Sequence, residues 1–483
     1  MNAGIRRMVV VLLVMFLALL WNVDYVQVLQ AGSLSQRPDN RRVLLDEYSR
    51  KRGPILVGGD PVAESVETND VLAYQREYPQ GELFAHLTGF YSSIYGRTNI
   101  EETQNTILSG TDDRLFVRRV IDLATGDRRS GGSVLLTIDP TVQRAADVAL
   151  GNRVGAAVAI EPRTGRLLAM VSHPSFDPNR LASHSSGVQQ KAYQGYLNDP
   201  QNPMLNRATR NRYPPGSTFK LVTAAAALST GRYKPDSVLA SPKVYPLKGT
   251  TKVIHNNNNS TCGTKTGKLT MAQALQVSCN TTFAGLGVDV GEASLRAQAQ
   301  KFGFGTAPMN DFPDVASVFP DTLDVPQTAL SSIGQFDVAA SPLQMAMVSA
   351  GIANGGEVMR PYVVTVVRGP DLRPISITKA EPMSRAVSPP VASELTTMME
   401  ATVNTGTARN GRIPGVRVAG KTGTAQTSPD RPPYAWFTAF APADNPQIAV
   451  SVLIEQANTA RDDISGGRLA APVAKAMMEA VVR

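Results

Sequence analysis

The 483-residue chain carries 48 Lys plus Arg against 40 Asp plus Glu, a formal net charge of +8, with 42% apolar and 18% charged residues. At roughly 150 residues per domain this length predicts about three domains, and the apolar share excludes a wholly disordered chain. Gly 39 and Pro 33 without a period exclude collagen-like and repeat architectures, and two Cys with four His leave little material for structural zinc.

The surplus of positive charge suits an anionic surface or substrate, but no dense Lys/Arg cluster is interleaved with aromatics, which argues against nucleic acid as a partner. At the N-terminus, Arg6 and Arg7 precede an unbroken apolar run over 8–21, followed by Asn22, Asp24 and Tyr25. A charged start and an apolar core make an export signal. The run is shorter than the roughly 20 residues of a spanning helix. No A-x-A-like cleavage site follows it, however, and Trp21 and Tyr25 suit a membrane–water interface. Residues 1–30 are therefore read as a short stub and an uncleaved membrane anchor, with the bulk of the chain outside the cytoplasm. Arg37, Arg41 and Arg42 beyond the run leave the positive-inside count undecided.

Residues 31–133 are polar and turn-rich, with Gly53-Pro54, Gly58-Gly59 and further turns near Gly96 and Gly110, which predicts a small sheet-containing pedestal. The texture changes at Val134. Residues 134–138 read as a strand, Asp139-Pro140 as a helix start, and 141–150 as the helix. A strand over 156–160, a turn at Glu161-Pro-Arg-Thr-Gly165 and a returning strand over 166–172 open a larger unit, 134–483. Near its end, 436–441 and 448–455 form a second hairpin and 469–482 a closing amphipathic helix. Strands first, helices between and strands last predict an α/β-type sheet with a helical subdomain.

Within that unit, Tyr213-Pro-Pro-Gly216 stops one segment and Ser217-Thr-Phe-Lys220 starts another, which runs through an almost wholly apolar stretch to Ser229-Thr-Gly231. A helix apolar nearly all round is buried. A Lys in its first turn must find partners or give up its proton, and the positive end of the helix dipole pushes it toward the neutral amine. Ser217 and Lys220, at i and i+3, share one face, so a base stands beside a hydroxyl nucleophile. Taken alone, the pair also fits an N-cap Ser with an ordinary Lys. Ser376-Ile-Thr-Lys379 matches the same short pattern, but it lies in a β-branched stretch whose alternation sends the two side chains to opposite faces.

Thr270 caps a helix over 271–277, and Ser278-Cys-Asn280 turns into a second apolar helix from Thr281. A Ser and an Asn two apart in such a turn can aim a hydroxyl and an amide at one point, although plain Ser/Asn turns are common. Gly420-Lys-Thr-Gly-Thr-Ala425 reads as an edge strand, with Lys421 and Gly423 on one side and Thr422 and Thr424 on the other. Gly423 removes a side chain where another backbone approaches, and the free edge can pair an extended peptide. Lys265-Thr-Gly267 repeats the tripeptide in a polar, Asn-rich loop without strand flanks and reads as a turn.

The order Ser-x-x-Lys, Ser-x-Asn, Lys-Thr-Gly, each in its expected context, resembles the motif set of the serine penicillin-recognising enzymes. The resemblance extends to 157–172, Pro174-Ser-Phe-Asp-Pro-Asn179, Asn206-Arg207, Ser341-Pro-Leu-Gln344, 352–356, Gly406-Thr407 and Trp436-Phe437. Upstream, Arg52-Gly-Pro-Ile55, Tyr78-Pro79, His86-Leu-Thr-Gly89 and 96–101 resemble the N-terminal module of the class B penicillin-binding proteins. Overall length and the short pedestal are most similar to the actinobacterial penicillin-binding protein A group.

The resemblance implies a penicillin-binding transpeptidase (serine β-lactamase-like) fold of α/β (α+β) class, with an antiparallel sheet and a helical subdomain. It further implies a D,D-transpeptidase that cross-links peptidoglycan stem peptides and is a β-lactam target, without metal or organic cofactor. By the same resemblance Ser217 is the nucleophile and Lys220 its base. Ser278 relays a proton to the leaving nitrogen, Asn280 orients Lys220 and the substrate amide, and Lys421 supplies positive charge. Thr422, Gly423 and Thr424 line the substrate, and the N–H groups of Ser217 and Thr424 form the oxyanion hole. About a hundred residues between anchor and larger unit look too few for a glycosyltransferase domain, so a monofunctional enzyme is expected, and the resemblance to the class B family makes a membrane glycan polymerase a candidate partner. In an exported chain Cys262 and Cys279 either form one disulfide, worth roughly 3 kcal/mol on the chain-entropy account, or remain two free thiols. The alternatives are a D,D-carboxypeptidase or β-lactamase, for which no Glu-containing deacylation motif is evident between Asn280 and Lys421, and a non-catalytic penicillin sensor or scaffold.

Overall fold

The computed structural model describes residues 3–30, 48–70, 72–115, 130–428 and 431–483. The N-terminal run is a helix over Ala3–Asp24 that continues helically to Leu29, with a mean hydropathy of 2.3 in its most apolar window and no buried residue. It is longer than the apolar core of the sequence indicated, because the polar residues around Asn22 and Asp24 remain helical. At 27 residues it is long and apolar enough to cross a bilayer. Arg37, Arg41 and Arg42 lie outside the described residues.

The pedestal is built on a hairpin, Ile55–Val57 with Asp60–Glu67, closed by Gly58 and Gly59. Both glycines have positive φ (61° and 100°), as a two-residue hairpin turn requires. Tyr74–Glu77 extends the sheet antiparallel. On the other side, Ser133–Leu136 pairs parallel with Ile55–Val57 and antiparallel with Val364–Arg368, which in turn pairs with Pro374–Ile377. The six-stranded sheet is thus completed by strands from beyond the pedestal sequence. The strand at which the sequence changes texture belongs to this sheet, and Ser376 of the second Ser-x-x-Lys match sits in its outermost strand. Periodicity gives strands but not their partners, so the pairing was not legible.

Beneath the sheet, Glu101 is fully buried between two guanidiniums: Arg52 Nε donates to its Oε2 at 2.6 Å and Arg76 Nε to its Oε1 at 2.7 Å. Burial pushes the Glu101 carboxyl up, but the two arginines outweigh it and hold it below its ordinary value. The paired charges make that burial affordable and tie three segments together.

The larger unit holds a five-stranded antiparallel sheet. From edge to edge it runs Ala419–Ala425, Tyr434–Ala441, Ile448–Gln456, Val154–Ile160 and Leu167–His173. Helices Pro140–Leu150 and Ala471–Val482 cover one face, and Pro342–Ala353 covers the other. Almost every residue of the central strands is buried, as expected for a sheet sandwiched between helical layers. Helices Lys220–Ser229, Met271–Gln276, Asn280–Val290 and Pro389–Asn404 form the helical subdomain beside the edge strand Ala419–Ala425.

His86 packs where the pedestal meets the larger unit. Its Nε2 lies 3.4 Å from Pro174 O and its ring stands edge-on to Phe176, while its Nδ1 is buried with no hydrogen-bond partner among the described residues. Burial lowers its pKa to about 4. The unfolded chain therefore binds this proton at higher pH than the folded one, near the ordinary imidazole value of about 6.5. His86 costs no stability above about pH 6.5 and a growing amount as pH falls toward 4, up to roughly 3 kcal/mol. The thermal midpoint of His86→Gln should accordingly fall less than that of the parent between pH 6.5 and 4.5. Parallel curves would contradict this account.

Candidate active site

Ser217 sits in a single helical turn, Gly216–Phe219, which runs directly into helix Lys220–Ser229. Every residue from Lys220 to Leu228 is buried, so the sequence-level picture of an apolar helix with a lysine in its first turn describes the site. Three backbones converge on Ser217, and a glycine makes each approach feasible. Gly216 N donates to Gly334 O at 2.9 Å. A Cβ on Gly334 would lie 2.2 Å from Gly216 O, and one on Gly423 would lie 2.9 Å from Pro215 O. Trp436, fully buried in the strand next to the edge, donates its Nε1 hydrogen to Pro214 O at 3.0 Å and pins the turn from below.

Thr270 and Gln273 form a capping box that starts helix Met271–Gln276, and the chain then turns at Ser278 with φ of 61°. A non-glycine residue in the left-handed region is held there only by its surroundings. The turn presents both Ser278 and Asn280 to Lys220. Lys220 Nζ lies 2.8 Å from Ser278 O, 2.7 Å from Asn280 Oδ1 and 3.4 Å from Ser278 Oγ. From the edge strand, Lys421 Nζ donates to Ser278 Oγ at 2.8 Å and to Thr422 O at 2.9 Å. Between the two motif residues, Cys279 is disulfide-bonded to Cys262, with Cα atoms 5.7 Å apart.

Both lysines are 0% exposed, with no carboxylate among their hydrogen-bond partners. Burial pushes Lys220 well below its ordinary value, and the neighbouring Lys421 lowers it further. Burial alone takes Lys421 to about 7. The hydrogen-bond set of Lys220 can accommodate the neutral form. A neutral amine has two hydrogens and one lone pair; Ser278 O and Asn280 Oδ1 can only accept, so they take both hydrogens of Lys220. The lone pair is left for a hydroxyl, while Ser278 Oγ accepts from the Lys421 ammonium. Asn280 is oriented without ambiguity because its Nδ2 donates to His255 O at 2.9 Å.

Backbone groups at the free edge complete the arrangement. Thr402 Oγ1 donates to Gly420 O and Lys421 Nζ to Thr422 O, so alternate residues of the edge strand turn their main-chain groups away from the sheet. Thr424 belongs to the same set, and its carbonyl oxygen would lie 3.0 Å from a Cβ on Gly216, so this outward-turned edge lies against the Gly216–Phe219 turn. Thr422 Oγ1 is 2.6 Å from Thr407 Oγ1.

Ser217, Ser278, Asn280, Thr422 and Thr424 open together onto a cleft of about 710 Å³. Lys220, Lys421 and Gly423 lie behind its wall. The structure also brings His255, Phe336, Arg409, Asn410 and Arg468 to the cleft, and among the described residues the lining holds no Asp or Glu. None of these five was singled out from the sequence. They come from loops whose destinations no local pattern encodes, although Gly406-Thr407 marks one of those loops.

With this geometry established, comparison with known proteins places it. Residues 155–479 match the penicillin-binding protein transpeptidase domain, and residues 52–134 match the penicillin-binding protein A dimerisation domain. The chain is 45% identical to the peptidoglycan D,D-transpeptidase PbpA of Mycolicibacterium smegmatis, with all of this chain and 99% of the relative aligned. It is 44% identical, over the same shares, to PbpA of Mycobacterium tuberculosis. Among solved structures, the M. tuberculosis penicillin-binding protein A imipenem acyl-enzyme complex superposes with a TM-score of 0.86 at 43% identity, covering 91% of this chain and 100% of that one. Its penicillin G acyl-enzyme complex gives a TM-score of 0.84 at 42% identity, covering 90% and 100%.

Proposed function

The chain belongs to the penicillin-binding protein transpeptidase family, and from that membership we propose how its residues carry out peptidoglycan D,D-transpeptidation. Ser217 Oγ attacks the carbonyl carbon of the penultimate D-Ala of a donor stem peptide as Lys220 Nζ takes its proton. The N–H groups of Ser217 and Thr424 hold the oxyanion, where each such donor is worth about 10²–10³ in rate. Ser278 passes a proton to the departing nitrogen, the C–N bond breaks, and the terminal D-Ala leaves. An acceptor amine from a second stem then attacks the acyl-enzyme and regenerates Ser217. Thr422 and Thr424 bind the terminal carboxylate beside Lys421, and Gly423 lets the edge strand close on the nucleophile turn. A β-lactam enters the same path and stops at the acyl-enzyme.

The observation that carries this reading is the bonding of Lys220. It is a fully buried amine that touches Ser278 O, Asn280 Oδ1 and Ser278 Oγ, in the helix that begins beside Ser217. A sensor or scaffold has no use for an amine held in that state. Residues 31–133 serve as the pedestal and 134–483 as the transpeptidase unit, which lends strands to the pedestal sheet. The Ala3–Leu29 helix anchors the chain with both units outside the cytoplasm. Neither matched module is a glycosyltransferase, and the glycan strands come from a separate membrane polymerase.

Peptide mapping of the penicillin adduct tests the nucleophile. Trypsin releases residues 213–220, in which Ser217 and Thr218 are the only aliphatic hydroxyls. The adduct mass is expected on this peptide and, on fragmentation, at Ser217. An adduct on any other peptide would remove the basis of the mechanism.

A further inference from the structure

We infer that Asn256 is a positioning residue for this reaction: its side chain caps the helix that bears Asn280 and so sets where Asn280 holds Lys220. The inference rests on the role given to Asn280 above. Helix Asn280–Val290 begins at a turn whose own N-cap residue, Cys279, makes no side-chain cap bond. Its first N–H groups would go unpaired in a buried place, at a cost of about 1–3 kcal/mol each. Asn256, distant in sequence and 5% exposed, supplies the missing acceptor. Its Oδ1 accepts from Asn280 N at 3.0 Å and from Thr281 N at 2.9 Å. The two hydrogens of its Nδ2 are shared among Ser260 O at 2.9 Å, Thr281 Oγ1 at 3.0 Å and Pro242 O at 3.1 Å.

Only an amide meets both halves of this requirement. A carboxylate would keep the two accepted bonds but face three oxygens without a hydrogen to offer, and an alanine would abandon all five partners. The residue before it reinforces the arrangement, since His255 O receives Asn280 Nδ2. Asn280 is therefore held at its backbone N–H by Asn256 and at its side-chain amide by His255, leaving Oδ1 aimed at Lys220. The disulfide from Cys262 to Cys279 closes the same loop onto the same turn. The Asn-rich loop, which reads in the sequence as a polar loop with a turn, is thus the support on which the Ser-x-Asn motif rests.

The test is a double-variant cycle in the full-length protein, read as the second-order rate of acylation by a fluorescent penicillin. Asn256→Ala is expected to slow acylation about 10²-fold, the scale of a displaced catalytic group. The Asn256→Ala/Asn280→Ala double variant is expected to be no slower than Asn280→Ala, because one residue acts through the other. A merely structural role would lower the melting temperature of both proteins while the two rate losses multiplied, and that result would overturn the inference. So would unimpaired acylation in Asn256→Ala beside an impaired Asn280→Ala. Unimpaired acylation in Asn280→Ala overturns the role of Asn280 and this inference with it. If Asn256→Ala does not fold, Asn256→Ser, polar but too short to reach both amides, takes its place under the same criteria.

Discussion

Lys220→Met should slow acylation of Ser217 by about 10²–10⁴-fold, the range for losing a positioned general base, and toward its upper end because the site offers no substitute. Methionine matches the lysine stem in volume and flexibility, so the packing around helix Lys220–Ser229 survives. What disappears is the lone pair. Lys220 is 0% exposed, so water cannot reach the Ser217 hydroxyl from that side, and Lys421 is engaged with Ser278 Oγ and Thr422 O. Ser278 O and Asn280 Oδ1 each lose a donor, which costs stability as well as rate. Lys220→Arg separates the two effects. A guanidinium can still donate to both oxygens, yet it stays protonated and provides no lone pair. Both variants should therefore acylate at the same low rate while Lys220→Arg retains more stability. Labelling by a fluorescent penicillin that is undiminished in Lys220→Met would mean that another group takes the Ser217 proton.

The same residue shows how far the sequence could be read. A lysine at the start of an apolar helix already requires partners or deprotonation, and both follow from burial. The capping box at Thr270, the breakers before Ser217 and the edge-strand position of Lys421 are local, and each could be placed from a few neighbouring residues. The juxtapositions are not local. Lys220 and Lys421 meet at Ser278 across the interface of helical subdomain and sheet, a relation that spacing does not encode. Val364–Ile377 joins the pedestal sheet, although nothing in its alternation distinguishes it from a strand of the larger unit. Asn256 is the clearest instance: one of four consecutive asparagines, it has five hydrogen-bond partners that become visible only when its loop is seen against the helix start. Turn formers are interchangeable in a pattern and unlike in a fold.

Lys421→Met should change the pH profile of acylation as well as its rate. On the proposed mechanism, acylation in the parent protein needs Lys220 neutral and Lys421 charged. The rate therefore rises with pH as Lys220 loses its proton, well below the usual lysine range, and falls as Lys421 loses its own near 7. The amines share Ser278 Oγ, so the two limbs report the pair rather than either residue alone. Removing Lys421 acts on both limbs, with opposite signs. The alkaline fall disappears, because no second charge remains to be lost. The acid limb moves to higher pH, because the like charge that helps to hold Lys220 down is gone and only burial remains. At neutral pH the rate should drop about 10²–10³-fold, the scale for losing one group that stabilises charge at the reacting centre. An alkaline limb that persists unchanged in Lys421→Met would assign it to another group, and an unmoved acid limb would show that the two lysines do not sense each other. A substitution that only opened the site to water, with Lys421 still present, would relieve the burial of both amines and move both limbs to higher pH without abolishing the alkaline fall. The profile thus distinguishes a lost charge from a loosened cleft even where the neutral-pH rates coincide.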